Sequence, residues 1–156
     1  MKVTLIQTGR TKESYLKEGE KEYHRRIVRY IPFNVITIPD LKSTKKSTEE
    51  YVKQQEGVQQ IQRIKPGDFV ILLDERGKAF SSQGLADYLA ALEGRTGHTV
   101  FIIGGAYGFS KEVYERADAS LSLSNMTFSH QMVRLIFSEQ LYRALTIQRG
   151  EPYHHN

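Results

Sequence analysis

The sequence predicts an α/β fold, in which a mainly parallel sheet carries helices on both of its faces. Five short β-like runs alternate with helical segments along the 156 residues, which is the pattern of strands joined by helical crossovers. Two of these runs, FVILLD (69–74) and HTVFIIGG (98–105), are almost wholly apolar, as expected for strands covered on both faces. The length suits one domain over residues 1–156. The pattern leaves the order of the strands open.

The first half of the chain is predicted to hold two strands and two helices. VTLIQTG (3–9) is predicted to be a strand, and residues 11–30 a helix that ends before Pro32. The alternating run FNVITI (33–38) predicts the second strand. Ser47 and Glu50 have the spacing of a capping box, so we expect a second helix from there to about residue 64, before the turn KPGD (65–68).

The second half is predicted to hold three strands and three helices. After the strand at 69–74, ERGKAF (75–80) is predicted to be a loop, with Ser81 or Ser82 capping a helix that ends near residue 93. The strand at 98–105 leads into a short helix from Ser110 to about residue 117, and ASLSLS (119–124) is a weaker strand. Residues 129–148 are predicted to be a long amphipathic helix, because apolar residues recur there at three- and four-residue steps.

The composition excludes several classes of protein. The chain has no cysteine, which excludes disulfides, thiolate zinc sites and cysteine nucleophiles. No apolar run approaches the roughly 20 residues that span a bilayer, and the N-terminus lacks the apolar centre of a signal peptide. We therefore expect a soluble, cytoplasmic protein that contacts no membrane.

The net charge of +4 favours an anionic partner. The basic residues cluster in two places: His24, Arg25, Arg26 and Arg29 near the end of the first helix, and Lys42, Lys45 and Lys46 in the following loop. Each cluster is either a solvated basic face or a contact for a phosphate backbone. On the second interpretation, we expect Lys45 and Arg25 to contribute to binding of nucleic acid.

The candidate ligand site is the sheet edge at which three predicted strands end, since ligands of parallel sheets bind outside the carboxyl ends of the strands. Residues 74–80, 104–110 and 124–129 follow those ends. The stretch FIIGGAYGFS (101–110) is rich in glycine but fits neither phosphate-binding template, because no acid follows at about 20 residues and no Lys stands at the P-loop position. Its glycines either only turn the chain or open the main chain to a mostly uncharged ligand.

The segment that follows the last predicted strand favours the same kind of mostly uncharged ligand. LSLSNMTF (121–128) contains no charge and suits an adenine ring and a thioether better than a triphosphate. The alternative is a plain loop that Ser129 caps.

Four stretches together resemble the ribosomal RNA large-subunit methyltransferase H family, which belongs to the SPOUT methyltransferases. They are KVTLIQTGRTKESYLKEGEKEY, LLDERGK, FIIGGAYGFS and LSLSNMTFSHQMVRLIFSEQLYRALTIQRGEPYHH, and they span almost the whole chain. The most specific parts are IGG-x-x-G-x-S, H-x-x-V-R-x-x-x-x-E-x-L-Y-R-A and the terminal PYH. The spelling ERGK and the second His of the tail depart from the family pattern, so the resemblance implies no role for Glu75, Arg76 or His155.

The resemblance implies a SPOUT domain over residues 1–156 with a C-terminal trefoil knot, which is a rare exception among folds. It implies a homodimer that uses S-adenosylmethionine and no metal, and that methylates N3 of a pseudouridine in a 23S rRNA hairpin of the assembled 70S ribosome. By motif match, the cofactor pocket is expected from Leu73, Gly104, Gly105, Leu123, Ser124, Asn125, Met126, Thr127 and Phe128.

The residues expected to act on the acceptor base come from the end of the chain. His154 and Tyr153 match the terminal motif of the family, and Arg143 lies on the last helix; we expect His154 and Tyr153 to reach the base, if necessary across a dimer. The alternatives are a frayed tail and an Arg143 that only pairs with Glu139. At the start of the same helix, His130 and Arg134 are further candidates, although His130 can also serve only to order that turn.

Two other functions remain open. A SPOUT methyltransferase of another RNA, such as tRNA, would have the same pocket. A non-enzymatic RNA-binding ribosome factor would explain the positive charge but not the uncharged sheet edge. A nucleotide-dependent oxidoreductase is disfavoured, because the acid of the dinucleotide fingerprint is missing.

Overall fold

A computed structural model describes residues 1–41 and 47–155 and confirms the predicted α/β class. Within those ranges the sheet has five strands, all parallel, in the order β2-β1-β4-β3-β5. The strands are β1 (Lys2–Thr8), β2 (Phe33–Ile38), β3 (Phe69–Ala79), β4 (His98–Ile103) and β5 (Ala119–Ser122). β4 is the central strand with β1 and β3 beside it, and β1 and β4 are buried along nearly their whole length.

Helices cover both faces of the sheet, as predicted. They are α1 (Ser14–Ile27), α2 (Glu49–Ile61), α3 (Ser82–Glu93), α4 (Lys111–Arg116) and α5 (Met132–Gln148). One core cluster joins the sheet to α1, α3 and α5, and in it the rings of Phe101 and Phe137 lie 4.8 Å apart. The other cluster packs Val113 of α4 against Ile6 and Ile102. None of the helices in these ranges is long and apolar enough to cross a bilayer.

The sheet order brings the carboxyl ends of β3, β4 and β5 together. Leu73 of β3 pairs with Ile103 on one side and with Leu121 on the other. The segments that follow these three strands therefore leave the sheet at one place, which is the edge expected to hold a ligand.

The helix starts were predicted with mixed success. Ser110 caps α4 by accepting from Val113 N at 3.3 Å, and Ser81 caps α3 by accepting from Gly84 N at 3.0 Å. The predicted capping box at Ser47 was wrong, because Thr48 is the cap of α2 and accepts from Tyr51 N at 3.0 Å. The helices α1 and α5 also begin three residues later than predicted.

The predicted loop at 75–80 was wrong, because β3 continues through Ala79. Its pairing with β5 is interrupted after Leu73 and resumes where Lys78 pairs with Leu121, so residues 74–77 form a bulge. A Cβ atom on Gly77 would lie 2.6 Å from the main-chain nitrogen of Leu121, and only glycine allows this approach. The bulge turns three charged residues, 74–76, towards the ligand edge.

Candidate functional site

A cleft of about 610 Å³ lies at the carboxyl ends of β3, β4 and β5. All the residues predicted for the cofactor pocket line it except Asn125: Leu73, Gly104, Gly105, Leu123, Ser124, Met126, Thr127 and Phe128. The structure thus brings together segments that stand up to 55 residues apart in the sequence, as the sheet-edge argument predicted.

The glycine stretch forms a tight turn between β4 and α4. Gly108 N donates to the carbonyl of Gly105 at 3.2 Å, and Gly108 has a φ of +83°, which favours glycine. The turn brings the main chain of Gly104 and Gly105 to the cleft wall. The structure therefore confirms that the glycines turn the chain; that their main chain meets a ligand stays a prediction.

Sequence reasoning missed a buried acid behind this turn. Glu56 on α2 is 6% exposed, and its Oε2 has no hydrogen-bond partner within the described residues. A Cβ atom on Gly105 would lie 2.5 Å from that oxygen. Burial, together with the charge of Asp40, raises the pKa of Glu56 to about 6. The available signal was the four-residue step from Val52 to Glu56 and on to Gln60, all on the buried side of the helix.

The cleft is not as free of charge as the sequence predicted, because the β3 bulge places Asp74, Glu75 and Arg76 on its rim. The Tyr114 hydroxyl donates to Asp74 Oδ2 at 2.5 Å and accepts from Arg76 Nη2 at 2.5 Å. Desolvation opposes the ionisation of Asp74, but hydrogen bonds from Tyr114 and Arg76 lower its pKa below the usual value. Asp74 is therefore charged and balanced by Arg76.

The uncharged segment 123–128 forms another part of the cleft wall. Ser124 Oγ accepts from Met126 N at 2.9 Å, and Thr127 donates to Glu75 Oε2 at 2.6 Å. These bonds fix the segment against the β3 bulge. Met126 is 77% exposed, so an apolar thioether stands free at the cleft.

The residues predicted to be catalytic lie together, but away from the cleft. Arg143 Nη1 contacts His154 Nδ1 at 3.1 Å, and its guanidinium lies 4.8 Å from the centre of the Tyr153 ring. Glu139 pairs with Arg143 and accepts from the Tyr153 hydroxyl at 3.0 Å. Arginine only donates, so Nδ1 of a neutral His154 is the acceptor and its proton is on Nε2. We call these four residues the tail cluster.

The other two candidates, His130 just before α5 and Arg134 in its first turn, lie in different surroundings. His130 lines the cleft, and desolvation followed by the charge of Arg134 lowers its pKa. Arg134 is fully buried and donates to the carbonyls of Thr8 and Gly9 at 2.6 and 2.8 Å. Arg134 therefore fastens α5 to the end of β1 and does not reach the cleft.

The first predicted basic cluster is weaker than its sequence suggests. Arg25 and Arg26 both pair with Glu22, at 2.7 and 2.9 Å. Burial lowers the pKa of His24 to about 4, so this residue is neutral at physiological pH. Arg29 is exposed. The second predicted cluster, Lys42, Lys45 and Lys46, lies outside the described residues.

The fold and the cleft define an α/β protein with a candidate ligand site at the carboxyl edge of a parallel sheet. The family model described as "Predicted SPOUT methyltransferase" matches residues 1–154. Similar proteins named "Ribosomal RNA large subunit methyltransferase H" are 48% identical in Parabacteroides distasonis and 50% identical in Christiangramia forsetii, each over 99% of both chains. One of the same name from Cytophaga hutchinsonii is 46% identical over 99% of this chain and all of its own. The chain belongs to the SPOUT methyltransferase family.

Proposed function

We propose that this chain uses S-adenosylmethionine to methylate RNA of the large ribosomal subunit, at N3 of a pseudouridine in a 23S rRNA hairpin of the assembled ribosome. The observation that carries the proposal is the convergence of residue 73, residues 104–105 and segment 123–128 on one cleft. The proposed RNA follows from the names of three relatives that match nearly the whole chain.

The residues of the cleft fit S-adenosylmethionine in size and chemistry. A volume of about 610 Å³ is typical of small-molecule sites. The main chain at Gly104 and Gly105 and the polar atoms of segment 123–128 would hold the nucleoside, with Leu73 and Leu123 against its apolar surface. The carboxylate of Glu75 suits a cationic ligand and has no arginine or lysine partner within the described residues.

Alignment is the main contribution of the protein to the reaction. The cofactor would supply a methyl group bound to a sulfonium sulfur, and the rest of the cofactor is a neutral thioether once the methyl group is transferred. Holding the acceptor nitrogen in line with that methyl group contributes roughly 7–11 kcal/mol to lowering the barrier. The proton on N3 lies between two carbonyl groups and has to leave as the new N–CH₃ bond forms.

The tail cluster is the part of the chain suited to that anionic acceptor. Arg143 brings a permanent positive charge, and Nε2–H of His154 is a donor that does not face Arg143. Both stabilise negative charge on the carbonyl oxygens beside N3, while the proton passes to water. Since the cluster lies away from the cleft, we propose that a second copy of the chain brings it there, in the homodimer that the family resemblance implies together with the trefoil knot.

Purified protein tests this function in two steps. Calorimetric titration with S-adenosylmethionine and its demethylated product is expected to give micromolar affinity. Labelled methyl transfer is then measured on 70S ribosomes, on free 23S rRNA and on tRNA, with mass spectrometry of the product. We expect methylpseudouridine in the ribosomes. Label found only in tRNA would show that the substrate is another RNA. No affinity for S-adenosylmethionine or its product would favour a non-enzymatic RNA-binding factor.

A further inference from the structure

A second open concavity of about 620 Å³ lies between α1 and the edge strand β2. From the sheet, Gln7 of β1 and Val35 and Thr37 of β2 line it. We call this concavity the α1–β2 groove. It shares no lining residue with the cleft, so a molecule bound there leaves the cleft free.

Exposed cations line one wall of the α1–β2 groove at a regular step. Lys17, Lys21 and Arg25 follow each other at four-residue intervals on α1, and Arg10 stands at the end of β1. Residues four apart lie on the same face of a helix, so the row of three spans about 12 Å. Of these four cations, only Arg25 pairs with an acid within the described residues.

The charge balance of the groove favours a polyanion. Its acid, Glu20, is 5% exposed and interacts with Thr11 and Arg134 inside the protein. It therefore presents little negative charge at the surface. Val28 is 54% exposed beside the row of cations and offers an apolar contact. Regularly spaced cations beside polar and apolar groups suit a sugar–phosphate backbone, in which each repeat brings one charge and one sugar.

The groove joins the cleft through one side chain. Gln131 donates from Nε2 to the carbonyl of Arg10 at 3.2 Å and accepts from Lys12 N at 3.0 Å. Its chain neighbour His130 lines the cleft. Gln131 thus links Arg10, at one end of the row of cations, to the segment that lines the cleft.

We propose that the α1–β2 groove binds the sugar–phosphate backbone of the RNA that is methylated and directs the strand to the cleft. This inference rests on the proposed function, since it takes the RNA substrate from it.

The test compares two double variants that remove the same charge. Lys17→Ala/Lys21→Ala removes two neighbouring positive charges from the wall of the groove. Lys2→Ala/Arg95→Ala removes two exposed cations at the opposite, amino edge of the sheet, neither of which has an acidic partner within the described residues. Filter binding measures the affinity of each variant for 70S ribosomes and for protein-free 23S rRNA between low and physiological salt. Calorimetry measures the affinity of each variant for the methyl donor, S-adenosylmethionine.

The groove variant is expected to bind both RNA substrates at least about tenfold more weakly, and its slope of log K against log salt should be smaller by about 1.4. The control should match the wild type, and donor affinity should be unchanged in both. Equal RNA affinity of the two variants would overturn the proposal. So would a loss confined to ribosomes, which points to an acidic ribosomal protein, or a changed oligomeric state in sedimentation, which points to a second copy in the groove. A wild type that methylates no RNA would instead reject the proposed function.

Discussion

Glu56 places a buried carboxyl group directly behind the glycine turn, in an environment that opposes its charge. Burial and Asp40 raise its pKa to about 6, from an ordinary value of 4.5. A raised carboxyl pKa means that the folded state holds the proton more tightly than the unfolded state. The group therefore stabilises the fold fully below pH 4.5, and that stability is lost as the pH rises through 6.

Glu56→Gln keeps the shape of the protonated form at every pH. We expect it to raise the free energy of unfolding by about 1 kcal/mol at pH 7.5 and to leave it unchanged at pH 4.5. Urea denaturation of wild type and variant at both pH values measures the difference between their free energies of unfolding. Buried His24, with its lowered pKa, destabilises both proteins equally at acid pH, so its effect cancels in that difference. The exposed acid Glu18 of α1 provides the matched control, as Glu18→Gln. Equal stability of wild type and Glu56→Gln at pH 7.5 would contradict the expectation.

The carboxylate of Glu56 can also act on a ligand in the cleft, because it lies directly behind Gly105. A negative charge behind Gly105 attracts a cation in the cleft, and the proposed cofactor carries a sulfonium. Proteins commonly give up stability at sites where function needs an unfavourable group. Donor affinity of Glu56→Gln, measured in the same preparation, would show whether the charge acts on the ligand.

At the scale of the elements, Arg134 is the link between the helix that borders the cleft and the centre of the sheet. Besides the carbonyls of Thr8 and Gly9, it donates to Thr11 Oγ1 at 3.1 Å. Desolvation lowers its pKa, and the charge of Glu20 opposes that shift. Because it is buried without contact to solvent, every one of these partners depends on the guanidinium.

Arg134→Ala is expected to lower the free energy of unfolding by about 3 kcal/mol or more, since it leaves two main-chain carbonyls and Glu20 without their buried partner. Arg134→Lys should recover only part of this, because an ammonium cannot reproduce the planar fork. Arg149→Ala, at the residue that follows the same helix, removes an exposed cation stacked on Tyr30 and should cost less than about 1 kcal/mol. Denaturant titration measures the free energies of unfolding of the three variants. If that of Arg134→Ala lay within about 0.5 kcal/mol of the wild type, as for a surface substitution, the result would contradict this role.

Local patterns predicted the elements where one segment determines its own structure. The apolar runs of β3 and β4 are strands because they are buried on both faces, and the cap at Ser110 depends only on its own first turn. The polar stretch after Leu73 carries no such signal. It joins β3 because Gly77 allows a close approach to the main chain of β5, and that partner stands over 40 residues away in the sequence.

The position of the cleft was predicted, with residues 74–80 at its edge, but the charge of that edge was not. Leu73, Gly105 and Met126 meet because strand ends meet at one edge of a parallel sheet. The charges of Asp74 and Arg76 enter the site through the bulge, which no local pattern shows. Glu56 was missed because burial of an acid depends on the loop that packs over it.

At the scale of the whole molecule, the cleft and the tail cluster lie at different positions along α5. Val133 lines the cleft, and Arg143 stands ten residues further along, about 15 Å at the rise of an α-helix. The tail is also fastened where it is, by the Tyr153 hydroxyl on Glu139 and by Tyr142, whose ring centre lies 4.7 Å from that of Tyr153. One copy of the chain would have to break these contacts to bring His154 to its own cleft.

Mixing two inactive variants decides whether the two parts of the site come from different copies. His154→Ala removes the hydrogen-bond donor of the tail cluster. It is expected to lower single-turnover methyl transfer by about 10² or more without changing the affinity for S-adenosylmethionine. His155→Ala, at the exposed neighbouring residue, is the control. Ala106→Trp places an indole in the cleft, which Ala106 lines as an exposed residue, and should abolish donor binding.

If the site is shared, a mixed dimer holds one site with an intact cleft and an intact tail. Equal amounts of the two variants, unfolded and refolded together, then recover roughly a quarter of the wild-type sites, because half of the two-fold dimers are mixed and each has one good site of two. If cleft and tail belong to the same copy, every site in the mixture lacks one part and no activity returns. Recovered methyl transfer to 70S ribosomes, compared with each variant refolded alone, is the measurement. An inactive mixture in which sedimentation shows mixed dimers would exclude the shared site.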